Sequence, residues 1–477
     1  MSTKWNYNIV LSLIVGLILC GCSVPKIGFK ETENKLPENF SATFTDSLNI
    51  AKINWRDYFA DDNLNALIDS ALLHNQELNI VLQEIEISKS EVLEKKGEYL
   101  PFVDLGLGGA TEKTPRFTRN GSVEHNLEIE DGKAFPEPLN DFSIGANMSW
   151  EIDIWRKLRN AKDAAQMHYL AQSEGKNFLV SQLIAEITES YYELEAMDNL
   201  LKIINRNVII QTEAYEKVKS LKEYAKTNQL VVNRFQAQLL NTQNQQYSIQ
   251  QKITELENKL AFLTGTYSIN VKRNSADFMK LSLDSLQAGI PAQLLTNRPD
   301  IRKAELEMAV AKLNVKVARA NFFPTLDLTI GVGFQAFNPK FLFNPESLLL
   351  NAAGDLMAPL INRAAIKAHY NQTSAAQLQS VYAYEQTLLQ AYTDVINQLA
   401  KLDNYSSSLI TKANEVNVLE ESVSIANDLF RYAKADYVEV LLTQEEVLDA
   451  EMELVEIKLK QVNSKVQLYR ALGGGWQ

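Results

Sequence analysis

Cysteine is almost missing from this chain of 477 residues, which carries only Cys20 and Cys22. A disulfide framework is therefore excluded for the body of the protein, and its stability must come from packing. Proline is absent from Leu139 to Ile290 and from Leu360 to Gln477, and Gly175 is the lone glycine between Arg156 and Thr264. Histidine is scarce as well: His74, His125, His168 and His369 are scattered, with no His-x-x-x-His spacing and no Cys/His cluster, so a zinc site lacks support. No Gly-x-Ser-x-Gly occurs, and the "GLGG" of Gly106 to Gly109 leads into a polar loop rather than a helix, so it fails as a phosphate cradle. No Lys/Arg cluster offsets the formal net charge of −12, which argues against a nucleic-acid partner. No metal or cofactor is expected, and an enzyme is not the favoured reading.

What is present is a foldable composition, 46% apolar and 22% charged. Lys4 precedes the apolar run Ile9 to Leu19, which is short for a bilayer span and sized for a secretory signal core. The "LCGC" that follows resembles the lipobox read by lipoprotein signal peptidase, with Cys22 as the acylated first residue of the mature chain. Acylation at Cys20 would put bulky Leu19 at the cleavage position. Ser23, rather than Asp, implies an outer-membrane destination. Residues 23 to about 54 then read as a tether returning along the outside of a barrel.

The proline-free stretches permit very long helices, because proline removes a backbone donor and clashes with the preceding turn. Ile249, Ile253, Leu256, Leu260 and Leu263 alternate spacings of four and three, the seam of a coiled coil. Leu183, Ile187, Tyr191, Leu194, Leu201 and Val208 read similarly, so Tyr191 and Tyr192 belong to packing. A helix from about Arg156 to about Ser220 would extend roughly 100 Å, a span rather than a core.

Elsewhere the period changes to two. Phe142, Ile144, Ala146, Met148, Trp150 and Ile152 alternate with polar or small residues, as do Leu326, Leu328, Ile330, Val332 and Phe334, and Val103, Leu105 and Leu107. A noisier fourth segment runs from Leu348 to about Ala358. Such segments match transmembrane β-strands that face lipid on one side and water on the other; half-buried strands of a soluble sandwich would look alike. Lys113 to Asn140 reads as a long external loop. Its counterpart Ala336 to Glu346 places Phe337, Phe341 and Phe343 either at the membrane interface or in the mouth.

The chain also repeats itself. "PFVDLGLGG" begins at Pro101, and "PTLDLTIGVG" begins 223 residues later at Pro324. "EYAKTNQ" (Glu223 to Gln229) returns at an offset of 208 as "RYAKADY" (Arg431 to Tyr437). A duplication follows, each copy running short helix, helix, strand, loop, strand and two long helices. Four strands cannot close, and spanning sheets must close, so several chains must share a barrel; spacing does not choose between two, three and four copies.

"WRDYFADDNLNALIDSALLHNQEL" (Trp55 to Leu78), "SWEIDIWRKLR" (Ser149 to Arg159), "LLTNRPDIRKAE" (Leu294 to Glu305), "FFPTLDL" (Phe322 to Leu328) and "LYRALGGGW" (Leu468 to Trp476) together resemble the TolC-like outer-membrane factors, in their lipoprotein branch. The resemblance implies a homotrimer of mixed α and β structure: a twelve-stranded outer-membrane β-barrel, four strands per chain, continuing into a periplasmic α-helical barrel. It further implies a passive efflux channel joined to a periplasmic adaptor protein and an inner-membrane pump. On that frame, residues 1–21 are signal peptide, 22–54 tether, 55–265 the first repeat, 266–284 an equatorial linker, 285–473 the second repeat and 474–477 a tail.

The resemblance also places a gate within Ser424 to Leu441. The family's gate acid falls on Asn427, with Asp428 beside it and Arg431 as a candidate tether for the closed tip. The candidate adaptor-contact tips are Tyr224, Ala225 and Lys226 in one copy and Tyr432, Ala433 and Lys434 in the other. Family members commonly carry glycine where Ala225 and Ala433 stand; Asn228 or Asp436 is the expected substitute for a left-handed turn. The alternative reading is a non-transporting, lipid-anchored periplasmic coiled-coil scaffold.

Overall fold

The computed structural model describes residues 36–40, 49–281, 288–432 and 434–477. The lipobox with Cys22, most of the tether, and Ala433 lie outside the described residues.

Two copies of one pattern fill the chain. In the first, α1 (Asp62–His74) and α2 (Gln76–Tyr99) lead into β1 (Phe102–Glu112) and β2 (Leu139–Glu151), then α3 (Lys157–Glu223) and α4 (Gln229–Leu263). In the second, the four-residue helix Leu294–Asn297 and α5 (Pro299–Ala320) precede β3 (Thr325–Ala336) and β4 (Leu348–Met357), then α6 (Ala364–Arg431) and α7 (Tyr437–Ala471). The long helices have 67 and 68 residues and their partners 35 each. The surplus of the loop at 113–138 over that at 337–347 accounts for the fall in offset from 223 to 208. That longer loop carries secondary structure of its own. It holds a helix, Arg119–Asn126, capped by Thr118 Oγ1 accepting from the Gly121 N–H at 3.2 Å, and a small hairpin, Glu128–Glu130 with Lys133–Ala134.

By contacts the chain divides into two bodies. One contains Glu86–Leu170 and Leu306–Tyr382. Its sheet runs β1-β2-β3-β4, every neighbour antiparallel. At the strand bases Trp150 Nε1 donates to Tyr99 O at 3.2 Å, and Trp155 Nε1 donates to Pro324 O at 2.8 Å. Asp153 starts α3, its carboxylate accepting from the Leu158 and Arg159 N–H groups at 3.1 and 2.9 Å, an acid placed where orphan helix donors need one.

The other body contains Thr32–Ile85, Ala171–Glu305 and Ala383–Gln477. Its main core buries Trp55, Phe59, Leu64, Ile68, Tyr191, Leu194, Leu260, Val395, Val466 and Tyr469 among others, and Tyr58 stacks on Tyr469 with centroids 4.5 Å apart. Phe40, within the stretch expected to be a tether, packs into this core against Tyr392. The chain end is pinned here too. Gly473 has φ +92°, a Cβ there would come within 2.5 Å of Asn297 O, and Trp476 Nε1 donates to the same oxygen at 3.0 Å. Glycine at that left-handed position is a steric requirement.

Candidate functional site: the sheet faces and the helical tips

Register turns the period-two pattern into two continuous faces. Leu107, Ile144, Phe334 and Leu348 form one row, and Leu105, Ala146, Val332 and Leu350 the next. The opposite face carries rows such as Asp104, Asn147, Gly331 and Asn351, with Asn147 Nδ2 donating to Asp104 Oδ1 at 3.4 Å. No lysine or arginine occurs in the four strands. Their ionisable residues, Asp104, Glu112, Asp141, Glu151, Asp327 and Asp355, all lie on the polar face.

Every residue of β1 and β4 is exposed, and on the apolar side Leu105 and Leu107 are 82% and 81% exposed. A single chain thus leaves a greasy surface and two unpaired edges, each a template for another strand. Of the loop phenylalanines, Phe343 meets Phe334 of the apolar face edge-on at 5.9 Å, which favours the interface position over the mouth; Phe337 pairs with Phe341.

At the tips, Asn427 and Asp428 lie on the exposed last turns of α6, and Asn427 Nδ2 donates to Val423 O at 2.8 Å. Arg431 reaches Asp428 at 3.8 Å within its own helix, both side chains well exposed, a pair worth at most about 1 kcal/mol. The left-handed turn is corrected by the structure. Ala225 itself adopts it, with φ +53°, while Asn228 and Asp436 are extended N-caps of α4 and α7. The Lys226 N–H bonds Leu221 O at 2.9 Å and the Ala225 N–H bonds Lys222 O at 2.9 Å, the double bond that closes a helix with a left-handed residue. That closure offsets the steric cost of a Cβ there. Tyr224 and Tyr432 are exposed, and Lys434 N–H bonds Leu429 O as Lys226 does Leu221 O.

Sequence reasoning missed what joins the two tips of one chain. Phe235 and Phe430 both meet Tyr437 edge-on, with centroids 4.6 and 4.3 Å away, over buried Val218, Val232 and Leu441. It also missed Glu195 on α3, only 4% exposed and accepting from the Asn274 N–H at 3.1 Å. Burial, then the nearby Asp61 charge, pushes its carboxyl up to about 7. Asp61 in turn caps α1 and accepts from the Tyr191 hydroxyl at 3.2 Å. Close by, Arg273 is spent on Asp198 and Glu257, at 2.6 and 2.9 Å.

A carboxyl that ionises later in the folded state than at its unfolded value of about 4.3 contributes stability in acid and loses it as pH rises through the folded pKa. The thermal midpoint is therefore expected to fall between about pH 5 and pH 8. Glu195→Gln should flatten that fall; an unchanged slope in a pH series of melts would remove Glu195 as its cause.

A sheet that alternates greasy and wet faces, open at both edges and leading into very long helices, is one chain's share of an outer-membrane barrel with a helical extension. The family model for outer membrane efflux proteins matches residues 67–266 and 290–474, and the chain belongs to that family. It is 25% identical over 472 residues to the cation efflux system protein CusC of Escherichia coli O6:H1, covering 98% of this chain and 99% of that one. It is 27% identical over 422 residues to the solvent efflux pump outer membrane protein SrpC of Pseudomonas putida, covering 88% and 87%. The open-state structure of the MtrE outer membrane channel of Neisseria gonorrhoeae superposes with TM-score 0.83 over 96% of this chain and 99% of that chain, at 21% identity, which speaks for the fold. The relatives are efflux and channel proteins rather than enzymes, and the chain is an outer-membrane protein.

Proposed function

We propose that three copies of this chain pool their sheets into one twelve-stranded barrel. It would serve as the passive outer-membrane duct of a tripartite efflux assembly with a periplasmic adaptor and an inner-membrane pump. The observation that carries this is the four-stranded sheet with apolar and acidic faces and two free edges. Lipid-facing strands without a closed wall would leave backbone donors and acceptors unpaired in hydrocarbon. In this reading residues 1–21 are removed, Cys22 is acylated, 22–54 is the tether, 55–265 and 285–473 are the repeats about the linker 266–284, and 474–477 is the tail. CusC is named for cations and SrpC for solvents at similar identity, so cargo choice is assigned to the pump. Purified, acylated protein in planar bilayers tests the duct. Stepwise conductance by a trimer is expected, and a lone water-soluble chain that leaves the bilayer silent would favour the scaffold instead.

The tips are the proposed gate and adaptor contact. Asn427, Asp428 and Arg431 would face their symmetry copies, where carboxylates around one aperture hold cations and repel each other. Tyr224, Ala225, Lys226, Tyr432, Ala433 and Lys434 would meet the adaptor. Asp428→Ala frees Arg431 from its partner and removes one carboxylate per chain, so single-channel conductance or resting leak should rise about twofold or more. Unaltered current traces would take Asp428 out of the gate.

A further inference from the structure

A second charged surface lies where the helices enter the sheet, and its sign is opposite to that of the strands. A groove of about 720 Å³ is lined by Trp155, Arg156 and Asp163 at the start of α3 and by Lys316, Arg319 and Phe323 at the end of α5, among others. α3 leaves β2 and α5 enters β3, the central pair of the sheet, whereas the edges that would meet other chains belong to β1 and β4. The groove is therefore complete within one chain.

Its side of the wall follows from an ion pair at the head of α3. The ladder continues past the strands, Ile152 N–H bonding Leu326 O at 2.8 Å. Beyond it the chain turns on both sides, the Ile154 N–H bonding Ile152 O and the Phe323 N–H bonding Ala320 O, and Lys157 at the head of α3 reaches back to pair with Glu151 on the polar face. The head of α3, which forms one wall of the groove, thus stands against the wet side.

Three cations line it against one acid. Asp163 is already approached by Arg156 at 3.9 Å and Lys162 at 3.2 Å. Among the described residues Lys316 and Arg319 form no ion pair, and they stand three apart on one exposed helix face with Lys312 four before. Beside them Trp155 and Phe323 stack with centroids 4.7 Å apart and planes 23° from parallel, and Trp155 stays 46% exposed. Arg156 holds φ +59°, a left-handed backbone that costs a non-glycine residue about 1–2 kcal/mol and fixes where its guanidinium starts.

We propose that this groove is a transit site for organic anions with a flat apolar body: the cations take the carboxylate, sulfonate or phosphate, and the Trp155–Phe323 pair takes the ring. The proposal rests on the duct reading for its access to cargo, but the site itself lies in one chain. Guanidinium and ammonium groups hold such oxyanions by charge-assisted hydrogen bonds, and water in the bore screens them. Capture is therefore weak enough for release, as a conducting path requires.

The test is calorimetric titration of the full-length protein in detergent with naphthalene-1,5-disulfonate, with methyl viologen as an aromatic dication and inorganic phosphate as an anion without a ring. The disulfonate should bind at about one site per chain and more tightly than phosphate, whereas any methyl viologen heat, arising at the acidic strand face, should be unchanged by substitutions in the groove. Lys316→Gln with Arg319→Gln, both exposed and free of ion pairs, should weaken the disulfonate about tenfold, and Trp155→Leu should narrow its advantage over phosphate. No binding, equal binding by the double variant, or phosphate binding as tightly as the disulfonate would each overturn the proposal. Bilayer recordings separate the two readings: conducting protein that binds no disulfonate refutes the groove alone, and binding by protein that conducts nothing refutes the duct alone.

Discussion

Aspartate at Ile144 is expected to keep the chain out of the outer membrane. Ile144 lies between Leu107 and Phe334 on the apolar face, and every copy in the barrel would carry the new charge. A lipid-facing arginine or lysine costs about 2–4 kcal/mol at mid-bilayer, and an acid somewhat less. Threefold repetition brings the total close to the whole stability of an ordinary domain, about 5–15 kcal/mol. Val332→Arg, beside Ala146 and Leu350, should be more severe. Ser143→Lys, on the polar face near Asp141, should assemble normally. The measurement is the amount of oligomer in the outer-membrane fraction, and the idea fails if the substitutions on the two faces behave alike.

An equally large loss is expected from Gly333→Val, by a steric route. Gly333 is the register partner of Gly145, and Gly106 continues that row. A Cβ on Gly333 would lie 2.5 Å from Ile144 O and 2.6 Å from Gly145 Cα. Both are backbone atoms of a strand held by ladders on each side, so nothing nearby can yield. Overpacking usually costs about 1–3 kcal/mol per site, and here it separates the central pair in every chain. Gly354→Val is the matched control, because a Cβ there meets nothing within 4 Å. Assembly of Gly333→Val at the level of Gly354→Val would show that the row tolerates side chains.

The strands and the long helices were legible because each is a simple period carried by many residues. Ile144, Ala146 and Met148 fall on one face whatever surrounds them, and the helix expected from about Arg156 to about Ser220 is α3, Lys157–Glu223. Ala225 was not legible. Its left-handed backbone is imposed by the closing hydrogen bonds of α3, and the sequence offered Asn228 as an easier host. The helix at Arg119–Asn126 was hidden by polar composition and by Gly121, and it depends on one capping threonine. Glu195 looked like any glutamate on a long helix. What buries it is the segment around Asn274 and Asp61, a contact between distant parts of the chain that no local pattern encodes. Phe235, Phe430 and Tyr437 are similar: each is unremarkable alone, and only the meeting of two hairpins makes them a cluster.

Duplication has left the two halves unequal in their loops and matched in their helices. The loops at 113–138 and 337–347 differ greatly, whereas α4 and α7 each keep 35 residues. In the proposed threefold assembly these loops would form three alternating pairs of unlike ridges. In the same proposed assembly the helical tips would number six, two from each chain and each followed by a 35-residue helix, so the proposed adaptor could dock with twice the multiplicity of the subunits it grips.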